Sequence, residues 1–163
     1  MLKIILLTTL LFFYSTVYSK ENLNNVDVSS LNILTNSEIN NFITNKLISG
    51  FFASGENFKE SYFPNNNYLF EMLSGQNKGK YEGEWQINKN NICYLMQGTS
   101  NYDCSIMYWK EGNDGKYDIY YGNQQNVYAK LTQVEDLPKN KLNSLLKDLG
   151  KLSSNSTTTN QTQ

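Results

Sequence analysis

In the stretch KYEGEWQIN, Glu82 and Glu84 stand two residues apart, and the chain's only cysteines, Cys93 and Cys104, follow closely. Paired carboxylates can run acid/base hydrolysis, as in glycosidases, where the two groups face each other about 5 to 10 Å apart across a cleft. On a strand, however, alternate residues share a face, so both glutamates point away from Trp85 and read as the solvated side of a half-buried strand. Composition narrows the chemistry further. No His and no Arg occur in the 163 residues, which removes the commonest general base, the commonest metal ligand and the bidentate phosphate clamp. A Ser or Cys nucleophile lacks its His partner. The glycines of GQNKGKYEG open no helix and precede no Lys-Ser or Lys-Thr, so they form no phosphate loop. No catalytic residue, metal site or cofactor is assigned.

The cysteines remain. A structural metal site needs two further soft or imidazole ligands, which the chain lacks. A redox pair is normally CxxC at a helix N-terminus, whereas ten residues separate these two. A two-residue turn at Gly98 and Thr99 would pair Gln97 with Ser100 and put Cys93 opposite Cys104, with Gly98 in the first turn position that type II′ favours. Simple alternation then makes the cysteines a hydrogen-bonded pair, the wider kind; a longer loop around GTSN with a bulge is the alternative. Either way the spacing predicts a disulfide. Closing so short a loop contributes about 3 kcal/mol in the chain-entropy model.

Tyrosine is the over-used functional side chain, with 12 copies, several in YWKEGNDGKYDIYYGNQQNVY. Trp85, Tyr108, Trp109, Tyr117, Tyr120 and Tyr121 are the candidate ligand-facing aromatics. The same rings would also serve as cross-strand pairs that hold a sheet together. Tyr117 and Tyr121 share a face with Ile119, and Tyr120 points the other way. Aromatics on both faces therefore need cover, a ligand or contact with water.

The elements that would position these residues follow from hydrophobic periodicity. Lys3, the uncharged run Ile4 to Ser19, and the small or β-branched Val17 and Ser19 before Lys20 have the layout of a secretory signal peptide cleaved after Ser19. The run is too short and too polar for a membrane span, so no stable span is expected after cleavage. Residues 20–34 read as a flexible lead-in. In TNSEINNFITNKLISG, Thr35 and Glu38 have capping-box spacing, and Ile39, Phe42, Ile43 and Leu47 share a helical face before Gly50. From Phe51 to about Leu131 the period changes to two, with turn signals at PNNN, GTSN, GNDG and GNQQ. Leu142, Leu145, Leu146 and Leu149 then mark a second helix that stops at Gly150. The polar tail, 151–163, lacks apolar residues to bury and reads as disordered. The expected architecture is α+β, mainly antiparallel: a meander of about six to eight strands in a small barrel or curved sheet, flanked by an N-terminal and a C-terminal helix. It forms one domain over 35–150.

With 14 lysines against 15 acidic residues the chain offers no basic surface for nucleic acid. The order helix, Gly50, strand, Tyr62-Phe63-turn, then Gly83-x-Trp85-x-Ile87 followed by Cys93 and Cys104, resembles a family of small secreted proteobacterial proteins, mostly alphaproteobacterial, classed as a domain of unknown function. The resemblance spans about residues 36–133. It departs at the turn, where PNNN stands in place of the family's frequent Asp-Gly. It implies an exported β-rich domain and transfers no catalytic residues. The functional expectation is a periplasmic or secreted, non-enzymatic β domain that binds a small ligand or an envelope partner. The alternatives are a hydrolase working through carboxylates alone and a purely structural envelope protein.

Overall fold

The computed structural model describes residues 21–112 and 114–137. The expected signal peptide, the expected C-terminal helix and the tail lie outside them. Within them, nine strands form one antiparallel sheet: β1 (Asn32–Ile33), β2 (Lys46–Phe52), β3 (Asn57–Tyr62), β4 (Asn67–Met72), β5 (Gly79–Asn88), β6 (Asn91–Met96), β7 (Asp103–Glu111), β8 (Tyr117–Gly122) and β9 (Val127–Asp136). From β2 to β9 each strand pairs with the next, and β9 pairs back onto β2, so eight strands close an up-and-down barrel. The short β1 lies outside the ring against β7. An eight-stranded barrel has an interior just wide enough to be filled by side chains or to hold one small ligand. Here Ile48, Phe58, Glu60, Tyr62, Trp85, Ile92, Met107 and Tyr121 occupy it, each almost wholly buried.

The one helix of the described residues is α1 (Asn36–Ile43). Its capping box forms: the Glu38 carboxylate accepts the Thr35 N–H at 2.7 Å while the Thr35 hydroxyl accepts the Glu38 N–H. Its buried Ile39 and Ile43 join the main core and close one end of the barrel. The helix stops earlier than its apolar spacing suggests. Asn45 turns into the left-handed region (φ 61°), and Leu47 falls on the outer face of β2 beside Phe63, Leu69 and Leu137. KLISGFF also alternates, and pairing with β3 and β9 outweighs one more helical turn. The two flanking helices of the sequence reading thus reduce, among the described residues, to this single short one.

The cysteine hairpin keeps its expected register and changes its connection. Cys93 faces Cys104 and the disulfide is present. The β6–β7 pairing, however, ends at Tyr94↔Asp103. A longer loop follows, in which the Thr99 N–H donates to Met96 O and Gly98 takes the left-handed conformation one position later than a type II′ turn requires. The cause is β5: the Gln97 N–H is drawn to Glu82 O, away from Ser100. The cysteine Cα atoms are 4.0 Å apart, nearer the close, non-hydrogen-bonded spacing than the wide one. The tight two-residue turn lies one hairpin earlier, at Lys89–Asn90, where both φ angles are positive as type I′ demands. Asn90 and Asn36 exchange side-chain-to-backbone hydrogen bonds, which pins the start of α1 to this hairpin.

The residues expected to be a loose lead-in wrap the barrel as a strap. Two short 3-10 turns, capped by the side chains of Asn22 and Asp27, bring Leu23, Val26, Val28 and Leu31 onto Phe51, Tyr108, Tyr120 and Val127 on the outer wall. That is the cover which the outward face of Tyr120 calls for.

Candidate functional site

The six candidate aromatics go to three places. Trp85 and Tyr121 are inside the barrel, Tyr108 and Tyr120 are on its outer wall under the strap, and Trp109 and Tyr117 line a groove beside α1. They do not make one continuous face.

The interior holds a carboxylate that the sequence reading did not single out. Phe58, Glu60 and Tyr62 alternate along β3, so Glu60 points inward between two aromatic residues; that alternation was the available signal. Its Oε1 accepts from the Tyr68 hydroxyl at 2.7 Å, and its Oε2 contacts the Tyr62 and Tyr121 hydroxyls at 3.1 and 2.9 Å. Tyr62 and Tyr121 are themselves 2.9 Å apart, and Tyr94 adds a fourth hydroxyl 3.0 Å from Tyr62. Nearby, the register shift between Tyr121 and Gly122 leaves Tyr128 as an extra residue on β9, and its hydroxyl reaches Ser105.

Counting protons tells how this cluster is charged. Glu60 Oε2, Tyr62 Oη and Tyr121 Oη are three oxygens in mutual contact. Two phenolic hydrogens fill two of the three contacts, and a hydrogen on Glu60 would let all three be hydrogen bonds at once. The environment agrees: burial without a paired cation raises the Glu60 pKa from 4.5 to about 7, and the three tyrosine hydrogen bonds offset only part of that rise. Burial first, and then Glu60, push Tyr62, Tyr68 and Tyr121 well above the ordinary phenol value, so they stay protonated donors.

The outer wall carries the opposite arrangement. Lys130 donates to Glu21 and lies 2.9 Å from Asp118; Lys110 lies 3.5 Å from Glu21. The Tyr120 hydroxyl reaches Glu21 and Asp118, both at 3.3 Å. The two ammonium groups stand 5.3 and 5.4 Å from the centre of its ring, within cation–π range. Burial alone would raise Glu21, but the hydrogen bond and charges of the lysines outweigh it and hold Glu21 below the usual carboxylate value.

The third place is a groove of about 740 Å³ lined by Leu34, Glu38, Asn41, Phe42, Trp109, Tyr117 and Ile119. It exists because the β7–β8 hairpin outruns its neighbours. Pairing with β6 stops at Ile106 and pairing with β9 at Ile119, while β7 and β8 stay paired out to Glu111↔Tyr117. The hairpin's inner face thereby projects beyond the ring opposite α1. Trp109 and Tyr117 meet there with ring centres 5.2 Å apart and planes perpendicular, and Tyr117 is 65% exposed. Glu82 and Glu84 lie on the outer wall of β5, opposite Trp85. Glu82 is partly buried, which raises its pKa, and Glu84 is exposed.

No family model, curated protein or solved structure matches this chain. Among the described residues no helix is long and apolar enough to cross a membrane. The disulfide is consistent with an oxidising, exported environment.

Proposed function

We propose that this chain is an exported, non-enzymatic binding domain that takes a small ligand in the groove between α1 and the β7–β8 hairpin. One observation carries the reading: the barrel interior is occupied by its own side chains, while an aromatic corner of Trp109 and Tyr117 stands open over a groove of ligand size. Phe42, Leu34 and Ile119 supply further apolar wall, and Glu38 and Asn41 the few polar groups that orient a ligand. Export to the periplasm or beyond is supported by the signal-peptide layout of the uncharged run Ile4 to Ser19 and by a bridge that the cytosol would reduce. Membership of the small secreted proteobacterial family belongs to the same proposal, supported by Gly83, Trp85, Ile87 and the Cys93–Cys104 pair.

Intrinsic fluorescence tests the site, because one tryptophan lies in the groove and the other, Trp85, is buried in the core. A panel of small ring compounds should include members that shift the emission saturably, and the shift should vanish in Trp109→Phe. A shift that survives Trp109→Phe, or a panel without response, sinks the groove as a binding site. Mass spectrometry of the natural polypeptide tests export: an N-terminus at Lys20 and no free thiol are expected.

A further inference from the structure

We propose that the groove selects a small organic cation, an alkylated ammonium in particular; this rests on the reading of the groove as the ligand site. The lining contains one formally charged side chain, Glu38, and no lysine. That charge is held in place. Glu38 Oε2 accepts both the backbone N–H and the hydroxyl of Thr35, each at 2.7 Å, so the capping box fixes the carboxylate at the groove's edge. The same two hydrogen bonds hold its pKa below the ordinary value, so it is ionised at neutral pH.

The same groove is lined by the rings of Phe42, one turn along the helix from Glu38, and of Trp109 and Tyr117 on the hairpin. The perpendicular Trp109–Tyr117 pair offers two π-faces that meet in a corner. The negative face of an aromatic ring attracts a cation within about 6 Å of its centroid, Trp most strongly, and alkylated ammonium groups are recognised by such clustered rings. A methylated cation also sheds less hydration than a bare ammonium when it leaves water for an apolar wall. An anionic ligand would meet Glu38 without a compensating cation. The depression on the other side of β8 differs in kind: its lining carries both signs, and its Lys130, Glu21 and Asp118 already pair with one another.

The experiment uses choline and its neutral carbon isostere, in which a tert-butyl group replaces the trimethylammonium, titrated into the disulfide-bonded protein with Trp109 fluorescence and chemical-shift readouts. Choline should bind about tenfold more tightly than the isostere. Glu38→Gln, which keeps a capping-box acceptor at that position, should reduce the preference several-fold. Tyr117→Leu, at an exposed position, should weaken choline several-fold while leaving the melting temperature unchanged. Equal affinity for the two probes overturns the cation assignment and leaves the groove standing as a site. Response to neutral ring compounds with none to choline does the same. No response of Trp109 to any compound overturns both.

Discussion

Tyr120 and Tyr121 are joined by one peptide bond, point to opposite faces of β8, and each brings its hydroxyl to a carboxylate, yet the two carboxylates differ in charge. Inside, Glu60 meets only tyrosines and keeps its proton up to about pH 7. Outside, Glu21 meets Lys130 and Lys110 and is ionised well below neutrality. Both tyrosines are buried, so burial of the ring does not separate the cases. The carboxylate's own burial, complete at Glu60 and partial at Glu21, and the nearby lysines that only Glu21 has, do. Without a cation the cheapest way to bury a carboxyl group is to leave it neutral and give its hydrogen a place in a ring of hydroxyls.

The comparison breaks most visibly at Glu60. Its folded pKa lies above its unfolded one, so its contribution is fully present below about pH 4.5 and is lost as the pH rises towards 7. The difference of about 2.5 units corresponds to roughly 3 kcal/mol. Urea unfolding at a series of pH values should show stability falling through that window. Glu60→Gln, neutral throughout, should flatten the fall and be the more stable protein at pH 8. An unchanged slope in the variant would place the pH dependence elsewhere.

Next in size is Tyr121→Phe. Its hydroxyl is one of three members of a buried ring, and its removal should cost about 2 kcal/mol in denaturant unfolding. The neighbouring Tyr120→Phe should cost less than about 1 kcal/mol, because its contacts are longer and its partners keep their lysines. Equal losses at the two positions would remove the distinction between the centres.

Lys130→Met makes the outer centre more like the inner one. Glu21 has a depressed pKa, so its stabilisation is present above the ordinary carboxylate value and lost as the pH falls through the folded one. Glu21 is about a third exposed, and solvent screening limits the effect to about 1 kcal/mol near neutrality. The loss should shrink in acid and in high salt. A loss independent of both would mean that the lysine stem packs against Tyr120 and its charge contributes little.

Local pattern carried some of this and distance hid the rest. The alternation of Tyr81, Gly83, Trp85 and Ile87 revealed the inner face of β5, and equal spacing on either side of Gly98–Thr99 revealed the cysteine register. The loop between the cysteines was not legible, because Gln97 answers to Glu82 on another hairpin. Closure was not legible either. It joins β2 to β9, far apart in the chain, and neither strand carries a mark of the other. Glu60 is marked by local pattern alone: a carboxylate between two inward aromatics on an alternating strand is an anomaly, and buried charge needs explanation. For the strap, Tyr120's outward direction announced that a cover was needed, but the scattered Leu23, Val26, Val28 and Leu31 have no period to announce which segment supplies it. The groove depends on how far each strand outlasts its neighbour, which single-strand patterns do not encode.

The seam between β2 and β9 also has a consequence for how the molecule is made. Like a cask whose first and last staves must touch, the sheet has two raw margins until Val127–Asp136 arrives, and every shorter nascent chain offers those margins to its neighbours. Closure is thus the last pairing of the ring to become possible, whatever order the other seven strands form in.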